Sequence, residues 1–177
     1  MNEIVAPVYL EDTGALFRRQ KTLADRAMAQ IDDDAFFALL DPEANSVAVL
    51  VKHMAGNMRS RWRDFLTSDG EKPGRNRDSE FVIESGQDRA WLNAYWESGW
   101  DYLLDTLDSL TPDDLGRTVT IRSEPHLVLR AINRQLDHYS YHTGQIVLIC
   151  KHYAPVWQSL SIPKGGSAAY NERMKKL

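Results

Sequence analysis

The sequence predicts an all-α protein: a four-helix bundle with a short extended crossover before the last long helix. Two observations carry this. Four stretches of roughly 20 to 28 residues repeat apolar side chains at steps of three and four. Only one short segment alternates as a strand does. The 177 residues contain no Gly/Ser linker and no internal repeat, so one domain over 1–177 is expected.

The first helix is expected over Val8 to Phe37, where Leu16, Leu23, Ala27 and Ile31 share a face. "DPEAN" then breaks the pattern with a proline and an asparagine. The second helix starts at Asn45 or Ser46 as N-cap and ends near Leu66 or Thr67. Its apolar stripe is Val47, Leu50, Met54, Met58, Trp62 and Phe65, with His53, Asn57, Arg61 and Asp64 along a neighbouring row. Thr67 to Phe81, "TSDGEKPGRNRDSEF", reads as a polar, solvated loop. The third helix runs from about Asp88 to Leu110, and Thr111-Pro112 ends it or caps a short turn through Leu115. Trp91, Trp96, Trp100, Tyr95 and Tyr102 give it more aromatic surface than one face needs, so a homodimer is expected. Val119 and Ile121 alternate across Thr120, which reads as a short hairpin or extended crossover. The fourth helix runs from about Leu127 to Tyr153, and the tail after Pro155 is irregular with room for a last turn.

Hydrophobic residues make up 43% and charged residues 26% of the chain, the balance of a folded globular protein and not of a disordered one. The formal net charge of −4 disfavours a nucleic-acid partner. The amino terminus lacks the basic-then-apolar pattern of a signal peptide, and no apolar run approaches the roughly 20 residues of a membrane span. No membrane association is expected, and the cytoplasm is the expected compartment. Cys150 is the single cysteine; within the apolar run "IVLIC" it reads as a small buried hydrophobe.

His138 and His142 lie four apart on the fourth helix and point the same way. Such a pair is the spacing of a chelate, but it is also the spacing of two ordinary core histidines. The residues between them are Tyr139, Ser140 and Tyr141, so the glutamate of a zinc-protease helix is missing. His53, in the middle of the second helix, is the candidate third ligand if the two helices are neighbours. Three imidazoles with an open fourth position suit catalytic zinc, and also nickel, cobalt or iron. His126, just after Pro125, is expected to be exposed, and His152 sits near a helix end where the backbone dipole accounts for it.

"VKHMAGNMRSRWRDFLTSDGEKPGRNRDSEF" followed by "LDHYSYHTGQIV" resembles the DinB-like (YfiT-like) metalloenzyme superfamily, in a branch of unknown function. The resemblance covers essentially the whole chain, including the closing "LSIPKGGSAAYN". Its motifs are His-x-x-x-Asn at His53 and Asn57 and His-x-x-x-His-x-Gly-Gln at His138 to Gln145. It implies an up-down-down-up four-helix bundle, a metal held by His53, His138 and His142, and dimerisation. Characterised members of that superfamily include thiol-dependent transferases and an isomerase that act with low-molecular-weight thiols. One fold hosts many chemistries, so the reaction is not implied with the same force.

The expected function is a metal-dependent transferase of small molecules, of the thiol S-transferase type, with a metal-dependent hydrolase as the alternative. In either, a thiol or water activated by the metal attacks a small electrophile. Asn57, Tyr141 and Gln145 are the candidate catalytic helpers. Arg75 and Arg77, in the polar loop, are candidates to bind an anionic cosubstrate such as a low-molecular-weight thiol. A third class, a non-catalytic stress-response protein with a structural metal, would require a fourth protein ligand. No acidic residue is in helical register with the histidine pair, because Asp137 faces about 100° away from His138.

Overall fold

The computed structural model describes residues 4–176 and is mostly helical. The elements are α1 (Val5–Met28), α2 (Asp33–Phe37), α3 (Val47–Trp62), α4 (Arg89–Ser109), α5 (Val128–Tyr153) and α6 (Ser167–Met174). Strands β1 (Thr118–Ile121) and β2 (Glu124–Leu127) form one antiparallel hairpin. Short 3-10 turns occupy Asp78–Phe81 and Pro112–Gly116. Among the described residues no helix is long and apolar enough to cross a membrane.

The capping residues set the helix starts as anticipated. Ser46 accepts the Val49 N–H at 3.2 Å, and Asp88 accepts that of Trp91 at 2.8 Å, each satisfying a donor that the helix leaves unpaired. Two ends differ from the sequence expectation. The first long helix stops at Met28 and a separate short helix follows, capped by Asp32. Arg89, from the start of α4, donates to the carbonyls of Met28 and Ile31 at 2.7 and 2.9 Å. A cation from a distant segment thus satisfies the end of α1. The second long helix stops at Trp62, not at Leu66, since Arg63 is extended and Asp64 is left-handed with φ 52°. The Thr106 hydroxyl takes the freed Trp62 carbonyl at 2.9 Å.

Helix α3 packs chiefly on α4, and α1 chiefly on α5; α1–α4 and α3–α5 contacts close the group. Each long helix gives one aromatic side chain to the centre: Phe17, Trp62, Trp100 and Tyr139, all fully buried. Phe17 meets Trp62 and Tyr139 edge-on at 5.8 and 6.0 Å between centroids, and Trp100 meets Tyr139 at 6.2 Å. Burying each such side chain stabilises the fold by about 2–3 kcal/mol, with edge-to-face contact adding to that. Trp96 and Trp100 are therefore core, and Trp91 is the tryptophan of α4 that stays exposed.

The hairpin turns through Arg122 and Ser123, at φ 56° and 64°. Two left-handed residues match the twist of paired strands, although glycine or asparagine normally supplies them. Asp69 offsets the strain: its carboxylate accepts the N–H groups of Arg122 and Ser123 at 2.9 and 2.7 Å, and that of Glu71 at 2.7 Å. Those backbone donors hold its carboxyl well below the ordinary range. The hairpin and the loop after α3 are thereby fastened together.

Helices α3 and α4 approach closely at Gly99, where a Cβ would lie 3.0 Å from the Cα of Ala55 and 3.3 Å from its carbonyl oxygen. The obstacle is backbone and cannot turn aside. Gly99→Val is expected to lower unfolding free energy by about 2 kcal/mol or more despite the better helix former, and chemical denaturation measures it.

Candidate metal centre

Every residue of α3 except Arg59 is buried, including Lys52, His53, Asn57, Ser60 and Arg61. Buried polar groups need partners, and the partners of this helix define the site. His53 faces α5, where His138 and His142 stack one turn apart. The Nε2 atoms of His53 and His138 are 3.4 Å apart, and those of His138 and His142 are 3.0 Å apart. One ligand atom from each of the three residues lies within 4.8 Å of the others.

The other ring nitrogen of two of them is committed. His53 donates from Nδ1 to Glu80 Oε2 at 2.9 Å, and His142 donates from Nδ1 to Gln145 Oε1 at 2.7 Å. With their protons on Nδ1, both residues turn an Nε2 lone pair inward. Both lone pairs face His138 Nε2, whose proton, when it is there, can be given fully to only one of them at a time. A cation satisfies all three nitrogens. Bond lengths of 2.0–2.1 Å at a tetrahedral ion put its ligand nitrogens about 3.3 Å apart, and the observed separations bracket that spacing. The donor set therefore fits a divalent ion of the zinc or nickel type. Among the described residues no carboxylate or thiol joins the cluster.

Glu80 is the anchor. Arg75 grips its carboxylate through Nε at 2.7 Å and Nη2 at 2.9 Å. Arg75 also meets Glu71 at 3.3 Å, and Glu71 in turn takes Arg61 at 2.9 Å and Arg122 at 3.1 Å. Burial pushes the Glu80 carboxyl upward, but the His53 and Arg75 hydrogen bonds and the Arg75 charge outweigh it, so its pKa ends below the usual value. The carboxylate stays ionised and orients the imidazole, as acidic partners of metal-bound histidines do. Gly56 makes this possible: a Cβ there would sit 2.5 Å from Glu80 Oε1.

This corrects the expectation of a solvated loop over Thr67 to Phe81. Lys72 and Glu80 are buried, as is the Arg75 side chain. The loop is the wall of the site because the charges of α3 have no other partners. Glu80 itself was not singled out by sequence reasoning. The available signal was a glycine in mid-helix, which marks a close approach, three residues after a histidine.

The other anticipated residues fall as follows. Asn57 is buried, and its Oδ1 accepts the Tyr139 hydroxyl at 2.8 Å. Gln145 holds His142 and reaches Tyr141 at 3.4 Å; Tyr141 is largely exposed. Arg75 is committed to Glu80 and Glu71, whereas Arg77 lies over the Phe81 ring at 4.9 Å. His53, His138, Asn57, Tyr141, Arg75 and Arg77 all line a cavity of about 320 Å³. Arg61, Arg122 and Arg134 add to its wall, with Asp137 the one acidic residue. Arg61 Nε and, on a further lining residue, Gln135 Oε1 are buried without a protein partner. His126, expected in solvent, is largely covered in β2, 3.7 Å from Glu124. Cys150 is buried, and burial pushes its thiol up to about 12.

The fold and the cluster define a helical protein with three convergent histidines able to hold a metal ion. The sequence profile of a family described as a protein of unknown function (DUF1572) matches residues 4–166, and the chain belongs to that family. No curated protein matches it.

Burial, then the neighbouring His142 and His53, lowers His138 to about 3, and burial lowers His142 as well. Both imidazoles are neutral at pH 7 and ready to ligate. A histidine whose folded pKa lies below its unfolded value binds fewer protons when folded. The metal-free protein therefore loses this contribution progressively as pH falls from about 6.5 toward 3. Urea denaturation in chelator from pH 7 to 4 should show a steeper loss for the wild type than for His138→Gln; parallel curves would contradict it. Gly56→Ala and Glu80→Ala should each weaken metal affinity by about 10- to 100-fold with helical content retained, as competition with a chromogenic chelator would report.

Proposed function

We propose that the chain is a metal-dependent enzyme of the DinB-like kind, built as one up-down-down-up four-helix bundle. In this reading His53, His138 and His142 hold one divalent ion, zinc or nickel, and the reaction joins a small thiol to an electrophile. The observation that carries the reading is the convergence of three Nε2 atoms with no acidic residue among them. Structural sites are closed by four protein ligands, whereas catalytic ones keep a position open. When bound, such an ion supplies Lewis acidity and lowers the pKa of a thiol or water in that position.

The protein's own groups support a small anionic substrate. Arg77, Arg122 and Arg134 stand around the cavity beside His53 and His138, and guanidinium groups bind carboxylates and phosphates with directed pairs of hydrogen bonds. Because Asn57 Oδ1 is occupied by Tyr139, the Asn57 amide N–H groups are left to donate toward the cavity. Tyr141 lines it with a hydroxyl that would orient a substrate, and Gln145, off its wall, holds His142 and Tyr141 in place. A thiol from outside is required, because the one cysteine of the chain is buried and protonated.

Protein purified without a histidine tag is expected to carry close to one metal per chain. His53→Ala and His142→Ala should carry less than about one tenth of that, since each removes a ligand from a three-ligand set. Equal, substoichiometric metal in all three proteins would sink the reading. Metal-loaded protein should then accelerate conjugation of a model thiol to a chlorinated aromatic electrophile. Ester hydrolysis without thiol turnover would assign a hydrolase instead, and neither activity would leave a binding protein.

A further inference from the structure

Helix α3 has a second polar face. Lys52, Gly56, Arg59 and Ser60 follow one another at steps of about one helical turn or less, and Arg63 follows just past the helix end. They help to wall a cavity of about 480 Å³ between α3, α4 and the loop after α3, which none of the three histidines lines. Lys72, Arg75, Glu80 and Glu84, from the segment after α3, and Trp91 and Tyr95, from α4, line it as well.

The cations here are unlike those around the histidines, where each arginine of the network meets a glutamate. Lys52 is 6% exposed and donates to the Val82 carbonyl at 2.6 Å; Lys72 is 9% exposed and donates to the Asp69 carbonyl at 2.7 Å. Arg59 donates to the Ser98 hydroxyl and lies over the rings of Tyr95 and Tyr102 at 5.1 and 5.4 Å. Among the described residues no carboxylate comes within 4.0 Å of any of the three. The acids nearby are otherwise engaged. Glu80 is held by Arg75 and His53, Glu84 takes the Gln87 amide, and Asp69 turns its carboxylate to the hairpin. Asp64 lies 3.9 Å from Arg63 on the exposed side.

A buried ammonium with neutral partners only is costly, because desolvation is not repaid by an opposite charge. Burial accordingly holds the Lys72 ammonium below the ordinary lysine range, with Asp64 only partly opposing it. Two such lysines and Arg59, with Arg63 and Arg75 beside them, outnumber the two carboxylates on the wall of one cavity of small-molecule size and give it the chemistry of an anion site. The Trp91 and Tyr95 rings, stacked at 5.1 Å, give one wall an aromatic face.

We infer that this cavity is a second binding site, separate from the three histidines, for a small multiply charged anion of the phosphate-ester or polycarboxylate class. Lys52, Lys72 and Arg59 bind the charged end, and Trp91 and Tyr95 flank the remainder. The inference does not rest on the metal reading.

Titration calorimetry in about 150 mM salt, where weak surface attraction is screened, tests it with inorganic pyrophosphate, adenosine monophosphate and citrate as probes. At least one should bind with a Kd below about 1 mM. Lys52→Met/Lys72→Met should weaken that binding at least about tenfold, the scale of a lost charge-assisted pair. His138→Ala should leave it unchanged. Tighter binding of the two phosphates than of citrate assigns a phosphate ester, and the reverse a polycarboxylate. The ligand-free double variant should melt no lower than the wild type, because two uncompensated buried charges are gone. If the double variant does not fold, Arg59→Gln takes its place, with a drop of about threefold or more expected. No binding of any probe, or equal binding by wild type and variant, overturns the inference.

Discussion

The hydrogen bond between Glu80 and His53 is the contact on which the rest of the site depends. It ties a loop residue to the middle of the most buried helix. It requires the absence of a side chain at Gly56 and the bidentate grip of Arg75. Each part alone is unfavourable: a buried carboxylate, a buried guanidinium, a glycine in mid-helix. Together they form a paired, hydrogen-bonded unit whose geometry leaves the His53 Nε2 lone pair facing α5. Removing one partner of such a unit leaves an uncompensated charge in a dry place, which costs several kcal/mol.

The second consequence concerns the loop from Thr67 to Phe81. A helix buried on all sides is normally apolar on all sides. Helix α3 is not, so its polar groups must be met by whatever covers them. Glu71, Arg75 and Glu80 do this on the histidine side, and Asp69 fastens the same segment to the hairpin turn. The loop is thus fixed by charge pairing and backbone hydrogen bonds, with little apolar burial of its own. Its charged composition is what makes it fit, since an apolar segment there would strand Arg61 and His53.

The distribution of charge follows the same logic. The chain is acidic overall, with a formal charge of −4, yet arginines gather around the cavity beside the histidines, and arginines and lysines around the other. Field in a concave, low-dielectric recess is set by the nearest charges and not by the net total. Both recesses therefore carry an excess of positive charge in a protein that, as a whole, does not.

By itself the sequence determined where the long helices lie, because apolar residues at helical steps and caps such as Ser46 and Asp88 act locally. It also placed His138 and His142 on one face, since four residues are about one turn. The alternation around Thr120 marked an extended segment, hairpin or crossover, and the pairing of β1 with β2 decided for the hairpin. Tertiary structure decided the rest. Whether His53 meets the pair depends on which helices are neighbours, and no local periodicity carries that. The early ends of α1 and α3 depend on Arg89 and Thr106, which come from a distant segment to take free carbonyls. Glu80 became the partner of His53 only because the chain folds back over Gly56 within the 27 positions that separate them. Local spacing determines what one helix presents, and packing determines what it is presented to.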